Sequence, residues 1–94
     1  MKQKGTQLQM FMPAGELRSM PSLEVTRFPD PSVSESLRHE WLWQDKQHDN
    51  QTKGYKGDRS QPVHVAGGQI ADGHHRIQEA YDNDPSTEMA VKHS

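Results

Sequence analysis

Apolar and polar side chains alternate along residues 23–28, starting from Leu23, Glu24 and Val25. A period of two that includes β-branched residues predicts a half-buried strand. Pro29-Asp30-Pro31 follows directly and predicts that the strand ends in a sharp turn.

The pattern becomes helical after this turn. Ser32 stands three residues before Glu35, which is the spacing of a capping box, so we expect a helix to begin here. Val33, Leu37 and Trp41 recur at every fourth residue and predict the apolar stripe of that helix.

Two tryptophans lie near the end of this stripe. Trp41 and Trp43 are two residues apart and therefore cannot share one helix face. We expect one of them to be exposed, where it would be a candidate contact for a protein partner.

Residues 44–61 are mostly polar and contain one aromatic residue, Tyr55, so they predict a long loop. A basic loop with an aromatic residue can contact a nucleic-acid backbone and stack on a base. Interleaved acidic residues nearly cancel the charge and favour a solvated loop instead. The basic residues concerned are Lys46, Lys53, Lys56 and Arg59.

The C-terminal half predicts a hairpin, a helix and a strand. Short apolar stretches at 62–66 and 69–71 flank Gly67-Gly68, a pair that supplies the positive φ angles of a tight hairpin turn. Apolar residues at helical spacing predict a second helix over 74–82, and 89–91 predicts a last short strand.

Residues 1–21 show neither a helical stripe nor a clean alternation, because Pro13 and Gly15 interrupt their scattered apolar residues. We expect an N-terminal arm that is either flexible or packed on the domain formed by 22–94. A flexible arm would be available to bind a protein partner.

Together these elements predict an α+β fold, with a small mixed sheet and two main helices. The chain has 94 residues and a mass of 10.7 kDa, which suits one domain. Only 30% of its residues are hydrophobic, so the core must be small.

Charge and cysteine content exclude several functions. The formal net charge of −2 argues against non-specific binding to polyanions. The absence of cysteine excludes disulfides, thiolate zinc sites and thiol nucleophiles. No apolar stretch is long enough to span a membrane, so we expect a cytoplasmic protein with no membrane partner.

The densest polar chemistry lies where the second hairpin strand meets the following helix, at Asp72, Gly73, His74, His75 and Arg76. Free N–H groups and the dipole at a helix start attract anions. Two histidines and an arginine have the wrong charge for that dipole, and a bound phosphate would resolve the conflict. Arg76 could bind such a phosphate through two parallel hydrogen bonds of its guanidinium.

A purely structural interpretation stays open for the same residues. Asp72 would then cap the helix, the histidines would be solvated or bonded to nearby backbone, and Arg76 would pair with Glu79 or Asp82. We expect Asp72 to be the cap under either interpretation.

The segment from Gly68 to Ala80 resembles the signature of the ParB/sulfiredoxin superfamily, in which an Asp-Gly-His-His-Arg type of turn joins a strand to a helix. Pro62 to Val65 resembles the strand that precedes it, and Leu23 to Leu37 resembles the family's N-terminal half. The resemblance covers roughly Ser22 to His93, and the five-residue turn is its most specific part.

This resemblance implies a pocket for a nucleotide or phosphate formed by Gly73, His74, His75 and Arg76, with a nucleoside triphosphate and Mg²⁺ as the expected cofactors. Members of the family include partition proteins that bind nucleotide and DNA. Short stand-alone versions occur in bacteriophages and mobile elements. The resemblance therefore implies nucleotide and DNA as partners and a role in DNA metabolism.

Enzymatic alternatives within the family differ in how well this chain suits them. Sulfiredoxin chemistry needs a cysteine that the chain lacks. Free-serine kinases carry the same turn and an upstream catalytic carboxylate, for which Asp30 is the candidate here, with Asp72, His74 and His75 as the other candidate catalytic residues. A protein-interaction module without catalysis is the remaining alternative, so whether the protein is an enzyme stays open.

A dedicated metal site is not predicted. The histidines at 39, 48 and 64 lack zinc-site spacing, and Asp72, His74 and His75 are too close in sequence to enclose an ion alone. Mg²⁺ held through a nucleotide's phosphates, with Asp72 nearby, fits the residue types better.

Overall fold

A computed structural model of the protein describes residues 10–54 and 61–94. It confirms the α+β fold, with a four-stranded mixed sheet and four helices in these residues, of which the third and fourth are the longest. The elements in chain order are β1 (Met10–Pro13), α1 (Ala14–Ser19), α2 (Leu23–Thr26), α3 (Glu35–Lys53), β2 (Val63–Ala66), β3 (Gln69–Asp72), α4 (His74–Asn83) and β4 (Glu88–His93).

The strands lie in the order β1-β4-β2-β3. β1 pairs antiparallel with β4, β4 pairs parallel with β2, and β2 pairs antiparallel with β3. The β2–β3 hairpin turns at Gly67 and Gly68, whose φ angles of 60° and 76° confirm the predicted glycine turn. The predicted second helix and last strand are also confirmed, as α4 and β4.

The hydrophobic core lies between the sheet and the helices α1, α3 and α4. Side chains of β2 alternate between buried and half-buried positions, as expected for a strand with one face on the core. The largest apolar side chains in the core are fully buried, and each contributes about 2 kcal/mol or more by removal from water. They are Leu17, Trp43, Val63, Val65, Ile70, Ile77 and Val91.

Residues 10–19 have more regular structure than predicted. The expectation of an arm with neither strand nor helix is wrong here, because β4 offers an edge that pairs with β1 from Met10 to Pro13. The N–H groups of Ala14 and Gly15 then donate to the carbonyls of Thr87 and Pro85 at 2.9 and 2.8 Å. These bonds start α1, which buries Leu17 in the common core.

The strand predicted at 23–28 is wrong, because this segment forms the single-turn helix α2. Ser22 makes one isolated bridge to Ile70 of β3, and its hydroxyl then caps α2 by accepting from the Glu24 N–H at 3.1 Å. Phe28, predicted to lie in a half-buried strand, is 67% exposed. Local capping therefore overrides a short alternating pattern.

The predicted start of the long helix is displaced by two residues. Ser34 is the N-cap of α3, and its hydroxyl accepts from the Leu37 N–H at 3.2 Å. Ser32 instead donates its N–H and hydroxyl to the Asp30 carboxylate, at 3.0 and 2.7 Å, in the preceding turn. The predicted capping box between Ser32 and Glu35 is therefore wrong.

The predicted polar loop at 44–61 is wrong for 44–53, which continue α3 to Lys53. Only the Gln and Lys residues of this half have good helix propensity. Side-chain bonds hold it to α4, since Asn50 Nδ2 donates to the His75 carbonyl at 3.1 Å. Gly54 then ends the helix with a φ of 70°. Tyr55, Lys56 and Arg59 lie outside the described residues, and with them most of the predicted nucleic-acid contact.

Candidate functional site

The strand-to-helix turn after β3 is built around Gly73. This residue is the N-cap of α4. Its φ of 104° lies in a backbone region that residues other than glycine rarely adopt. A Cβ atom here would lie 2.9 Å from Arg76 Nη2 and 3.3 Å from Val63 Cγ2. The prediction that Asp72 caps the helix is wrong, because Asp72 is the last residue of β3.

The first turn of α4 therefore lacks the usual features that satisfy a helix start. Gly73 has no side chain to accept from the first N–H groups, and the first turn contains no acidic residue. The helix dipole directs partial positive charge to the same place. This end of α4 is electrostatically suited to an anion.

A small polar cavity of about 160 Å³ opens at this turn. It is large enough for a phosphate group or several water molecules. Three helices and one strand end contribute its lining, which consists of Glu24, Lys46, Asp72, Gly73, His74, His75 and Arg76. The structure thus brings together the whole predicted turn and adds Glu24 from α2 and Lys46 from α3.

Lys46 and Glu24 form an ion pair across the cavity, with Lys46 Nζ 3.3 Å from Glu24 Oε1. The Lys46 side chain is only 15% exposed, whereas that of Glu24 is 48% exposed. The cation is therefore held inside the cavity, and its carboxylate partner lies on the more solvated side.

His74 is buried and points away from solvent. Its Nε2 lies 2.7 Å from Ser22 Oγ, and its Nδ1 lies 3.2 Å from Glu24 Oε2. Burial lowers the pKa of His74 from 6.5 to about 4, and the nearby Lys46 adds to this, although Glu24 opposes it. His74 is thus neutral at pH 7, and the hydrogen-bond network assigns its proton to Nδ1, from which it donates to Glu24.

Ser22, His74 and Glu24 are connected in the same way as a serine-histidine-acid triad. Ser22 is 0% exposed, and its hydroxyl already accepts from the Glu24 N–H. A substrate carbonyl therefore has no access to this hydroxyl. The three residues act as a buried hydrogen-bonded network that fixes the His74 ring and places Glu24 at the cavity.

His75 connects the site to α3. Its Nε2 lies 3.2 Å from Asp49 Oδ2, and the hydrogen bond from His75 lowers the pKa of the Asp49 carboxyl. Together with the bond from Asn50 to the His75 carbonyl, this contact fixes the second half of α3 against the turn.

Arg76 forms the wall between this cavity and a second one. Its Nη2 donates to the Pro62 carbonyl at 3.1 Å, and its buried Nε has no hydrogen-bond partner among the described residues. The predicted alternative, pairing with Glu79 or Asp82, is thus replaced by a backbone contact to the residue before β2. The second cavity, of about 330 Å³, is lined by Gln61, Pro62, His64, Asp72, Arg76 and Lys92.

Asp30 lies in a different place from the other candidates. It lines a groove between α2 and α3, and hydrogen bonds from the Ser32 hydroxyl and N–H lower its pKa. Glu24 is the upstream carboxylate that lines the cavity at the turn. Sequence reasoning does not find Ser22 and Glu24, because the alternation over 23–28 predicts a strand. It does not find Lys46 as a cavity residue, because the composition of 44–61 predicts a loop.

Residues 10–54 and 61–94 contain no cluster of three or more His, Asp or Glu side chains that could hold a metal ion. In that part of the chain, each helix is too short or too polar to cross a membrane.

Comparisons with known proteins identify no relative. No family model matches the chain, and neither a curated protein nor a solved structure matches it. The ParB/sulfiredoxin resemblance therefore stays a prediction that rests on the residues of the turn.

Proposed function

We propose that the protein binds a phosphate-bearing small ligand, such as a nucleotide, at the start of α4. The observation that carries this proposal is the coincidence of an uncapped helix start at Gly73 with Lys46 and Arg76 in one small cavity. Backbone N–H groups, a helix dipole and two cations are the elements from which phosphate sites are built.

The charged side chains of the cavity balance, with Glu24 and Asp72 against Lys46 and Arg76, so a negatively charged ligand has to be held by the helix start and by displacing Glu24 from Lys46. Glu24 already accepts from His74 Nδ1–H and is paired with Lys46. A phosphate group at the turn would compete with Glu24 for Lys46, because Glu24 is 48% exposed and can rotate toward solvent. The buried Nε of Arg76 offers a further donor beside the same turn.

A nucleoside triphosphate with Mg²⁺ fits these residues. Lys46, Arg76 and the first N–H groups of α4 would hold phosphate oxygens. Asp72, which lines both cavities, is a carboxylate of the kind that holds Mg²⁺ together with phosphates. When bound, Mg²⁺ would neutralise phosphate charge. The second cavity offers room for the remainder of a nucleotide.

Isothermal titration calorimetry with inorganic phosphate, pyrophosphate and the four common nucleoside triphosphates, each with Mg²⁺, tests the proposal. We expect at least one to bind, and we expect Lys46→Met to weaken it by about tenfold, since a partly buried charge-assisted bond is lost. Lys53→Met is the matched control, because Lys53 is on the same helix, is 60% exposed and pairs with Asp49 instead.

Two outcomes would contradict the proposal. One is the absence of binding by every ligand of the panel at millimolar concentration. The other is equal weakening by Lys46→Met and Lys53→Met, which would indicate attraction by overall charge. Arg76→Lys should weaken binding as well, because a lysine cannot reproduce the bidentate geometry of a guanidinium.

Phosphoryl transfer is a second candidate function, and the position of Glu24 favours it. Glu24 is the half-exposed carboxylate beside the proposed phosphate position, where a general base for a hydroxyl acceptor would be needed. Phosphorus NMR of protein, nucleoside triphosphate, Mg²⁺ and free serine tests it. Transfer that Glu24→Gln abolishes and Asp30→Asn leaves intact would support Glu24, and the reverse result would support Asp30.

A role in DNA metabolism rests on the resemblance alone. Gel-shift measurements with duplex DNA, at low salt and with and without nucleotide, test it. Nucleotide-dependent binding would support the role, and its absence would limit the function to the small ligand.

A further inference from the structure

The groove between α2 and α3 is lined by apolar and acidic side chains. The apolar residues that line its cavity of about 260 Å³ are Val25, Val33, Trp41 and Leu42. The described residues of its lining also include three carboxylates, those of Glu24, Asp30 and Asp45, which we call the acidic rim, and one basic residue, Arg38.

Large apolar side chains are exposed on α3 and in the turn before it, and one of them, Trp41, lines the groove. Trp41 is 47% exposed and Leu37, one helical turn away on α3, is 44% exposed. Phe28, in the turn that leads to α3, is 67% exposed. Grouped exposure of large apolar side chains within a polar rim is typical of an interaction surface.

Arg38 offsets one of the acidic charges, because its guanidinium stays positive and attracts the Asp30 carboxylate, and hydrogen bonds fix its position. Its Nη2 donates to the Val25 carbonyl at 2.9 Å and also contacts the Phe28 carbonyl. These bonds hold the end of α2 and the following turn against α3, so the groove is preformed. Although Lys46 pairs with Glu24 and Arg38 attracts Asp30, the carboxylates outnumber the cations, so the rim keeps a net negative charge beside the exposed Trp41 ring.

Asp30 strengthens this charge. Bonds from the Ser32 N–H and hydroxyl stabilise its ionised form and lower its pKa, so the carboxylate stays charged at neutral pH. They also fix its position at the mouth of the groove.

We propose that this groove binds a basic peptide segment of a partner protein, with a large apolar side chain of the partner against Trp41 and its lysines or arginines against the acidic rim. Charge complementarity selects this occupant, because the lining carries three carboxylates against one guanidinium and would therefore repel an acidic segment. A lysine or arginine can also lie over the Trp41 ring, which adds a cation–π attraction. This surface is separate from the cavity at the start of α4, although Glu24 lines both.

Fluorescence anisotropy with a labelled amphipathic peptide of lysine and leucine tests the proposal, and the same peptide with glutamate in place of lysine is the probe control. We expect the lysine peptide to bind and the glutamate peptide not to bind. Trp41→Ala should weaken binding by about tenfold or more, as loss of a central aromatic contact does. Phe11→Ala is the matched control, because Phe11 is an exposed aromatic residue, 59% exposed, on β1.

Charge variants test the rim independently of Trp41. Asp45→Lys should weaken binding of the lysine peptide by about tenfold, because it replaces an attraction by a repulsion, whereas Glu88→Lys on β4 should have little effect. Circular dichroism should show that the variants stay folded, and Asp45→Lys carries the test if Trp41→Ala does not fold.

Several results would overturn the proposal. They are absence of lysine-peptide binding, equal binding of both peptides, or equal effects of Asp45→Lys and Glu88→Lys. Analytical ultracentrifugation that shows a dimer lost in Trp41→Ala would also overturn it, since a second copy of the chain would then occupy the groove.

Discussion

The helices α3 and α4 are held in the molecule in different ways. α4 has 10 residues and buries four of them, His74, Ile77, Gln78 and Ala80, in or next to the core. α3 has 19 residues and buries only Trp43. α4 is therefore positioned by its packing, whereas α3 depends on one large side chain and a few hydrogen bonds. The candidate cavity is lined by residues of both helices, Lys46 of α3 and the first turn of α4.

Among the changes that test this difference between α3 and α4, truncation of Trp43 should lower the free energy of unfolding most. The ring is fully buried, donates from Nε1 to His39 Nε2 at 3.0 Å and lies 5.4 Å from the His74 ring. We expect Trp43→Ala to lower the free energy of unfolding by about 3–5 kcal/mol, as for other buried aromatic residues.

Chemical denaturation measures this loss, and Trp41→Ala on the same helix is the control. Trp41 is 47% exposed, so its truncation should change stability by less than about 1 kcal/mol. Equal effects of the two substitutions would contradict the view that α3 depends on Trp43.

Acid should have the next largest effect, and it acts on the other helix. The pKa of His74 is about 4 in the folded protein and near 6.5 when the chain is unfolded. Between these values the unfolded chain binds more protons, so stability falls as the pH decreases from 6.5 to 4, by up to about 3 kcal/mol.

Urea titrations at several pH values measure this dependence, with NMR titration of the His74 ring as the direct check. His74→Gln should flatten the stability profile over the same range. A His74 pKa near 6.5 in the folded protein would refute this prediction.

Substitution of the cap glycine should have a smaller but specific effect. Gly73→Ala places a Cβ atom 2.9 Å from Arg76 Nη2 in a backbone conformation with positive φ. We expect a loss of about 2 kcal/mol and weaker phosphate binding, because the arginine must move.

Gly54→Ala at the end of α3 is the matched control. Its φ of 70° is also positive, but none of the described residues has an atom within 4 Å of the added Cβ atom. It should lower stability by about 1 kcal/mol and leave ligand binding unchanged. Denaturation and calorimetry on both variants separate backbone strain from the contact with Arg76.

The smallest expected effect concerns one of the hydrogen bonds between α3 and α4. Asn50 Nδ2 donates to the His75 carbonyl, while its buried Oδ1 has no partner among the described residues. Asn50→Ala removes both a bond and an unsatisfied acceptor, so we expect a loss of only about 0.5–1.5 kcal/mol. Amide hydrogen exchange is a sharper measurement than denaturation. We expect the amides in the second half of α3 to exchange faster than those of α4.

The same contrast explains which elements could be predicted from the sequence. The hairpin, α4 and β4 combine apolar periodicity with glycine turns, and their predictions are confirmed. The second half of α3 has no apolar stripe, so its composition predicts a loop, and side-chain bonds to α4 hold it as a helix instead. β1 has no pattern of its own, because it becomes a strand by pairing with β4, which is distant in sequence.

The candidate site was predictable only in its local part. The residues from Asp72 to Arg76 are adjacent in sequence, so their common location followed directly. Glu24 and Lys46 reach the cavity through the packing of α2 and α3, which no local pattern encodes. The neutral state of His74 depends on burial in the folded chain and has no sequence signal.

The strand order has a consequence for folding and synthesis. β4 lies inside the sheet between β1 and β2, and its register joins Met10 to Val91. On the ribosome, β1 therefore emerges first but has no strand to pair with until the residues of β4 have followed it. The hairpin and α4 can associate earlier, so the sheet is completed last by closing a long loop, a kind of step that slows folding.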